Sequence, residues 1–143
     1  MISLYSADLD DVRMNWDFVE DGLSKVIAKT GAGFIPADIY ALISSKNLFL
    51  YWLLDGPDTI GFTILSEVVT NYEGKKALYL DHTYVDPKFM KRSTMEEFDA
   101  ALEDLAEKVG CARLEFNSSR IGWGRRLRRM GWEPVTVVYK RDL

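Results

Sequence analysis

Leu80-Asp81-His82-Thr83-Tyr84-Val85-Asp86-Pro87-Lys88-Phe89 is the stretch on which the fold turns. Alternating apolar and polar residues from Ala77 to Val85 predict a strand, and Pro87, which has no N–H to give a ladder, stops it. Strict alternation places Leu78, Leu80, His82 and Tyr84 on one face and Tyr79, Asp81, Thr83 and Val85 on the other. A capping box follows, in which the Ser93 side chain accepts from the N3 amide and Glu96 reaches back. Phe98, Ala101, Leu102, Leu105 and Val109 then share one helical face, and Gly110 ends the helix.

Upstream, Leu48–Leu54 and Thr59–Val69 read as two strands joined by the turn Asp55-Gly56-Pro57-Asp58, and Asn71-Tyr72-Glu73-Gly74 turns into the strand already described. Leu4–Ser6 is a short first strand. From Asp8, an N-cap, the positions Val12, Trp16, Val19, Leu23, Val26 and Ile27 recur at helical spacing up to Thr30-Gly31-Ala32-Gly33. Pro36 opens a second, shorter helix that buries Ile39, Leu42 and Ile43. Downstream, Cys111–Phe116 is a strand, Arg120–Met130 a helix and Val135–Lys140 a last strand. The order is β-α-α-β-β-β-α-β-α-β. It predicts an α/β (α+β) fold with a mixed central sheet and helices on both faces.

With 143 residues, 48% of them hydrophobic and 18 of them aromatic, the chain suits one domain spanning 1–143 with a core that needs no staple. One cysteine, Cys111, excludes an internal disulfide framework, and one histidine, His82, excludes a multi-histidine metal site, so no metal is expected. No apolar run reaches 18 residues, and Ile2–Asp10 lacks a basic start, so neither a membrane span nor a signal peptide is expected. These features predict a soluble, cytoplasmic protein. Charge is divided along the chain. Residues 1–110 carry 10 Lys and Arg against 19 Asp and Glu, a net of −9, while residues 111–143 carry 8 against 3, a net of +5. Five arginines fall between Arg120 and Arg129. An acidic body with a basic end steers anions toward that end, or the arginines form a solvated helix face.

The element order, with Val85-Asp86-Pro87-Lys88-Phe89 and the segment Arg120-Ile121-Gly122-Trp123-Gly124-Arg125-Arg126-Leu127-Arg128-Arg129-Met130-Gly131-Trp132, resembles the GNAT family of acetyl-CoA-dependent N-acetyltransferases. The Arg-rich segment is similar to divergent GNAT-like proteins encoded by tailed phages, which would place the chain in a bacterial host's cytoplasm or in a virion. The resemblance implies acetyl-CoA as co-substrate and an amine-bearing small molecule, peptide or protein as acceptor. It places the acetyl carbonyl beside the fourth-strand backbone, at Thr83, Tyr84 and Val85. The pyrophosphate falls at the next helix N-terminus, where the family carries glycines that let the backbone close on it. Here that stretch is Met90-Lys91-Arg92-Ser93-Thr94-Met95, so Lys91 and Arg92 hold the diphosphate by charge, with Ser93 and Thr94 beside it, or are simply loop charges. Asn117 lies where the family admits the pantetheine arm. Arg120 is placed at the phosphates, and Trp123 either stacks on adenine or packs. The tyrosine that protonates the leaving thiolate in many members is replaced by Leu127.

The base is drawn from Asp81, His82 and Glu115. His82 titrates near neutrality when unperturbed, whereas Asp81 needs its pKa raised by burial or a water relay. Each has a plain alternative as a hydrogen-bonded strand residue or a solvated face. Arg120–Arg129 either meets phosphates or docks an acidic protein partner, with nucleic acid the least favoured because the chain is acidic overall. Two functions remain: an acetyltransferase, or a GNAT-fold phage structural or partner-binding protein without turnover.

Overall fold

A computed structural model of the chain describes residues 1–31, 33–69, 74–118, 124–135 and 137–143. Asp8 caps α1 (Leu9–Met14): its carboxylate accepts from the Asp11 N–H at 2.8 Å, and the Asp11 side chain accepts in return from Asp8. The single long helix predicted from Asp8 is two. Asn15 leaves helical geometry and donates its side-chain amide to the Asp11 carbonyl at 2.9 Å, and α2 (Trp16–Thr30) starts afresh. Gly31, at φ 66°, closes α2. Pro36 opens α3 (Pro36–Ser44), which buries Ile39 and Ile43 but leaves Leu42 exposed, against expectation.

The sheet has five strands in chain order: β1 (Ile2–Ser6), β2 (Phe49–Asp55), β3 (Asp58–Val69), β4 (Lys76–Val85) and β5 (Arg113–Glu115). The first four run antiparallel to their neighbours, and β5 lies parallel to β4. The α+β class and mixed sheet are those read from the sequence. Helices α1 to α3 cover one face, around Val12, Val19, Leu23, Leu50, Trp52, Phe62, Ile64 and Tyr84. The other face is covered by α4 (Arg92–Lys108), around Leu65, Leu78, Leu102 and Ala106.

Two expectations fail here. The predicted strand Val135–Lys140 is not formed at its described residues, so the order ends after α5 (Gly124–Arg129). The strict alternation of β4 is also broken. Ile64 pairs with His82 and Leu65 with Leu80, leaving Asp81 as an extra residue without an opposite number. Leu78 and Leu80 therefore face α4, whereas Tyr84 packs under α2 and His82 meets Phe34 from the α2–α3 connection.

The start of α4 differs as well. Its N-cap is Lys91, not Ser93; Thr94 at N3 accepts from the Lys91 N–H at 3.1 Å and donates to the Phe89 carbonyl at 2.9 Å. At the far end, α5 closes in a Schellman arrangement: Trp132 N–H reaches the Leu127 carbonyl, Gly131 N–H reaches that of Arg128, and Gly131 takes φ 90°. The Trp132 indole then donates to Asp99 of α4 at 3.0 Å and stands edge-on to Phe116 at 4.9 Å.

Helix α2 reaches the sheet through Gly22. A Cβ there would lie 2.7 Å from Phe62 and 2.8 Å from Tyr84, both of them buried rings. Gly22→Val is expected to lower unfolding free energy by about 1–3 kcal/mol, read as an earlier urea midpoint. Gly33→Ala, with nothing within 4 Å of the new carbon, should stay within about 0.5 kcal/mol of the parent.

Candidate active site

The extra residue in β4 builds the site. β5 pairs with β4 only at Ala77, Leu78 and Tyr79, opposite Arg113, Leu114 and Glu115. Beyond that point, over residues 80–85, β4 is paired on its β3 side, and among the described residues β5 no longer follows it. From Leu80 onward the edge of β4 away from β3 is without a strand partner among the described residues, and Phe116 and Asn117 follow where the β5 pairing stops at Glu115. Backbone groups of alternate β4 residues point to that edge.

Asp81 turns toward β3, where the Ser66 hydroxyl donates to its carboxylate at 2.6 Å. Burial pushes the Asp81 carboxyl above its ordinary value, and the Ser66 bond pulls the other way. Tyr79 is the cross-strand neighbour of Ser66 on one side and Glu115 on the other. Its phenol is held up first by burial, then by the carboxylates of Asp81 and Glu115, against a backbone hydrogen bond from Asn117 that lowers it. The Tyr79 phenol, Asp81 and Asn117 thus meet at the point where the strands part. Glu115 sits half-buried with Arg113 at 3.3 Å, an ion pair along the strand. His82 lies next to Asp81 with its ring 4.6 Å from that of Phe34, and burial lowers its pKa, favouring the neutral imidazole.

The remaining predicted residues scatter. Thr83 points to the α4 side, its hydroxyl 2.8 Å from that of Thr63. Tyr84 is buried under Gly22 with Lys25 over its ring, and Val85 packs with Ile2, Leu53 and Ile60. The side chains of these three are thus committed to packing, and only alternate residues among them can present backbone groups to the edge away from β3. At the start of α4, Lys91, Arg92 and Ser93 are exposed, with Arg92 3.8 Å from Glu96, whereas Thr94 is buried and spent on its own cap. Arg120 and Trp123 lie outside the described residues, as do Asn71, Tyr72 and Glu73 of the second turn. Arg125, Arg126, Arg128 and Arg129 are all exposed. Ser66, Tyr79, Arg113 and Phe34 carry no role in the sequence reading: the β3–β4 pairing brings Ser66 to Asp81, the α2–α3 connection brings Phe34 to His82, Tyr79 stands beside Asp81 on β4, and Arg113 pairs with Glu115 along β5.

Among the described residues no cluster of His, Cys, Asp and Glu is arranged to hold a metal ion, and no helix is long and apolar enough to cross a membrane. An open groove lined by Arg13, Trp16, Ala37 and Tyr40 lies among the first three helices, away from β4.

No protein-family model matches the sequence, and no curated protein matches it. Solved structures do match in fold. The ribosomal-protein-alanine N-acetyltransferase of Brucella melitensis biovar Abortus 2308 superposes with a TM-score of 0.72 at 15% identity, over 99% of this chain and 99% of that one. A predicted acetyltransferase with acetyl-CoA from Clostridium acetobutylicum gives 0.69 at 11% identity, over 99% and 96%. Glucosamine-6-phosphate N-acetyltransferase from Arabidopsis thaliana gives 0.65 at 12% identity, over 99% and 98%. The chain therefore has the fold of the GNAT acetyltransferases, and identities this low show the fold alone.

Because burial raises Asp81 above its ordinary 3.8, the carboxyl favours folding while protonated. That contribution is complete below the unfolded value and is lost as pH rises through the folded one. Asp81→Asn keeps an acceptor for Ser66 and removes the charge. Its melting temperature is expected to exceed the parent's at pH 7 and to converge with it near pH 3, as read by calorimetric scans at the two pH values.

Proposed function

We propose that the chain is an N-acetyltransferase that moves the acetyl group of acetyl-CoA to an amine on a small molecule, peptide or protein. The observation that carries this reading is the end of β5 pairing next to Asp81, a half-buried carboxyl with a raised pKa held by Ser66 where β4 loses its β5 neighbour. Two of the similar structures are N-acetyltransferases named for a ribosomal-protein alanine and for glucosamine-6-phosphate, and another is an acetyltransferase with acetyl-CoA. They support the class of reaction and leave the acceptor of this chain open.

In this reading the thioester enters where β4 and β5 part, with its carbonyl oxygen toward the β4 edge amides, which stabilise the oxyanion as it forms. The amine nitrogen attacks the carbonyl carbon, the C–S bond breaks, and coenzyme A leaves as thiolate. Asp81 takes the proton that the amine gives up, and Ser66 fixes its orientation. His82 and Glu115 are the other acceptors within the same region, the latter with one oxygen engaged by Arg113. Asn117 borders the pantetheine path. Ser93 and the side chain of Met95 stand where glycines would let the backbone close on the diphosphate. Lys91 and Arg92, with the first amides of α4, hold it by charge instead.

Calorimetric titration with acetyl-CoA should show saturable binding in the micromolar range, about −8 kcal/mol; no heat at millimolar ligand overturns the proposal. Lys91→Ala with Arg92→Ala should weaken that binding about tenfold without changing the circular dichroism spectrum, and unchanged affinity removes the phosphate site. On an acceptor found by screening amines, Asp81→Asn should lower kcat roughly a hundredfold or more with binding of acetyl-CoA intact. An equal loss in His82→Ala but none in Asp81→Asn would transfer the base to His82.

A further inference from the structure

Acetyl transfer needs a proton at the departing sulfur as well as a base for the amine. The donor has to share a sheet face with Asp81. Leu65 of β3, Leu78 and Leu80 of β4 and Leu114 of β5 pack toward α4. Alternation therefore turns Ser66, Tyr79 and Glu115 to the opposite face, and the Ser66 hydroxyl holds Asp81 on that side at 2.6 Å. Tyr79 belongs to the last β4–β5 pair, with Ser66 opposite it on one strand and Glu115 on the other. Its half-buried ring thus stands where β4 loses its β5 neighbour.

The phenol oxygen of Tyr79 is held, and its hydrogen is available. The oxygen accepts from the Asn117 backbone, and a phenol that accepts one bond still has its own hydrogen to give. Burial, and then the carboxylates of Asp81 and Glu115, keep that hydrogen in place before reaction. Once Asp81 takes the amine proton, its part of that hold lapses. The phenol then turns more acidic as negative charge collects on sulfur. The other hydroxyls of β4 are engaged elsewhere: that of Thr83 lies 2.8 Å from that of Thr63, and Tyr84 is buried under Gly22 with Lys25 over its ring. His82 is kept neutral by burial, and a neutral imidazole is a far weaker acid than a phenol.

We propose that the Tyr79 phenol is the proton donor to the sulfur of coenzyme A, a role that rests on the acetyltransferase function proposed above. As the C–S bond breaks, its electron pair passes to sulfur and the phenol hydrogen follows. Coenzyme A leaves as the thiol and Tyr79 is left as phenolate. Protonated Asp81, on the same face, returns its proton to that phenolate. The hydrogen lost by the amine thus equals the one gained by sulfur, and both side chains end as they began.

Tyr79→Phe keeps the ring and removes only the hydroxyl, and is expected to leave the far-ultraviolet spectrum unchanged. Calorimetry reads the contact without turnover. At about pH 9, where much of coenzyme A is thiolate, the parent should bind it about tenfold more tightly than Tyr79→Phe does, as expected for a hydrogen bond to a charged group. Desulfo-coenzyme A, which lacks the sulfur, should bind both alike. Equal affinities for coenzyme A, or the same loss with the desulfo analogue, overturn the proposal. With acetyl-CoA and an amine found by screening, Tyr79→Phe should lower kcat about a hundredfold at unchanged KM for acetyl-CoA. p-Nitrophenyl thioacetate, whose thiolate leaves without a proton, should serve parent and variant equally; an equal loss with both donors makes Tyr79 structural and overturns the proposal. A parent that neither binds acetyl-CoA nor transfers its acetyl group ends the acetyltransferase reading and this role with it. Binding and transfer that persist undiminished in Tyr79→Phe end only the role of Tyr79.

Discussion

One additional residue in β4 governs the site and much of the packing around it. Between Ile64 and Leu65 the partner strand advances by two residues instead of one, and Asp81 is the residue left over. That single irregularity reverses which face each later side chain occupies. Before it, Leu78 and Leu80 seal the sheet against α4; after it, Tyr84 seals it against α2, and His82 passes to Phe34. Without the reversal, His82 would fall on the α4 side with Leu78. The bulge lies two residues beyond the last β4–β5 pair, Tyr79 with Glu115, so the change of face and the end of β5 pairing fall at nearly the same place along β4.

The electrostatics of the opening follow from how little water reaches it. Asp81 is pushed up and His82 down by burial, and both shifts favour the neutral form. For Asp81 this makes the carboxylate a stronger base, at some loss of stability when it ionises. For His82, folding favours the neutral ring; the stability this contributes is present above the ordinary 6.5 and is lost as pH falls through the lower folded value. Glu115 is different in kind, because Arg113 shares its face and neutralises it. The bulged carboxyl is held instead by the Ser66 hydroxyl. At the start of α4 the two cations Lys91 and Arg92 are exposed, with Arg92 3.8 Å from Glu96.

Much of this was legible in local sequence. Asp8, Gly31, Pro36, Gly110 and Gly131 each fix an element end by side-chain capping, by a left-handed backbone or by a preset φ, all of which act within a few residues. Hydrophobic periodicity gave the helices their buried faces, apart from Leu42. The misreadings have physical causes of their own. Asn15 broke one helix into two because its amide competes for a backbone carbonyl. Thr94 displaced Ser93 as the organiser of the α4 start because it reaches both Lys91 and Phe89. Val135–Lys140 has the composition of a strand, but composition does not supply a neighbouring edge.

The sequence by itself determined the order of elements from the first strand to the Arg-rich helix, apart from the break at Asn15, together with the mixed sheet and the resemblance to an acetyl-transfer fold, because periodicity, caps and turn residues are local and additive. It also named Asp81, His82 and Glu115 as the groups able to accept a proton. Tertiary structure alone decided which faces they occupy and what stands beside them. A bulge changes register by one residue without any change in composition, so alternation read along β4 assigns the wrong face on one side of it. Ser66 meets Asp81 only through the pairing of β3 with β4, and Phe34 meets His82 only when the α2–α3 connection folds back over the sheet.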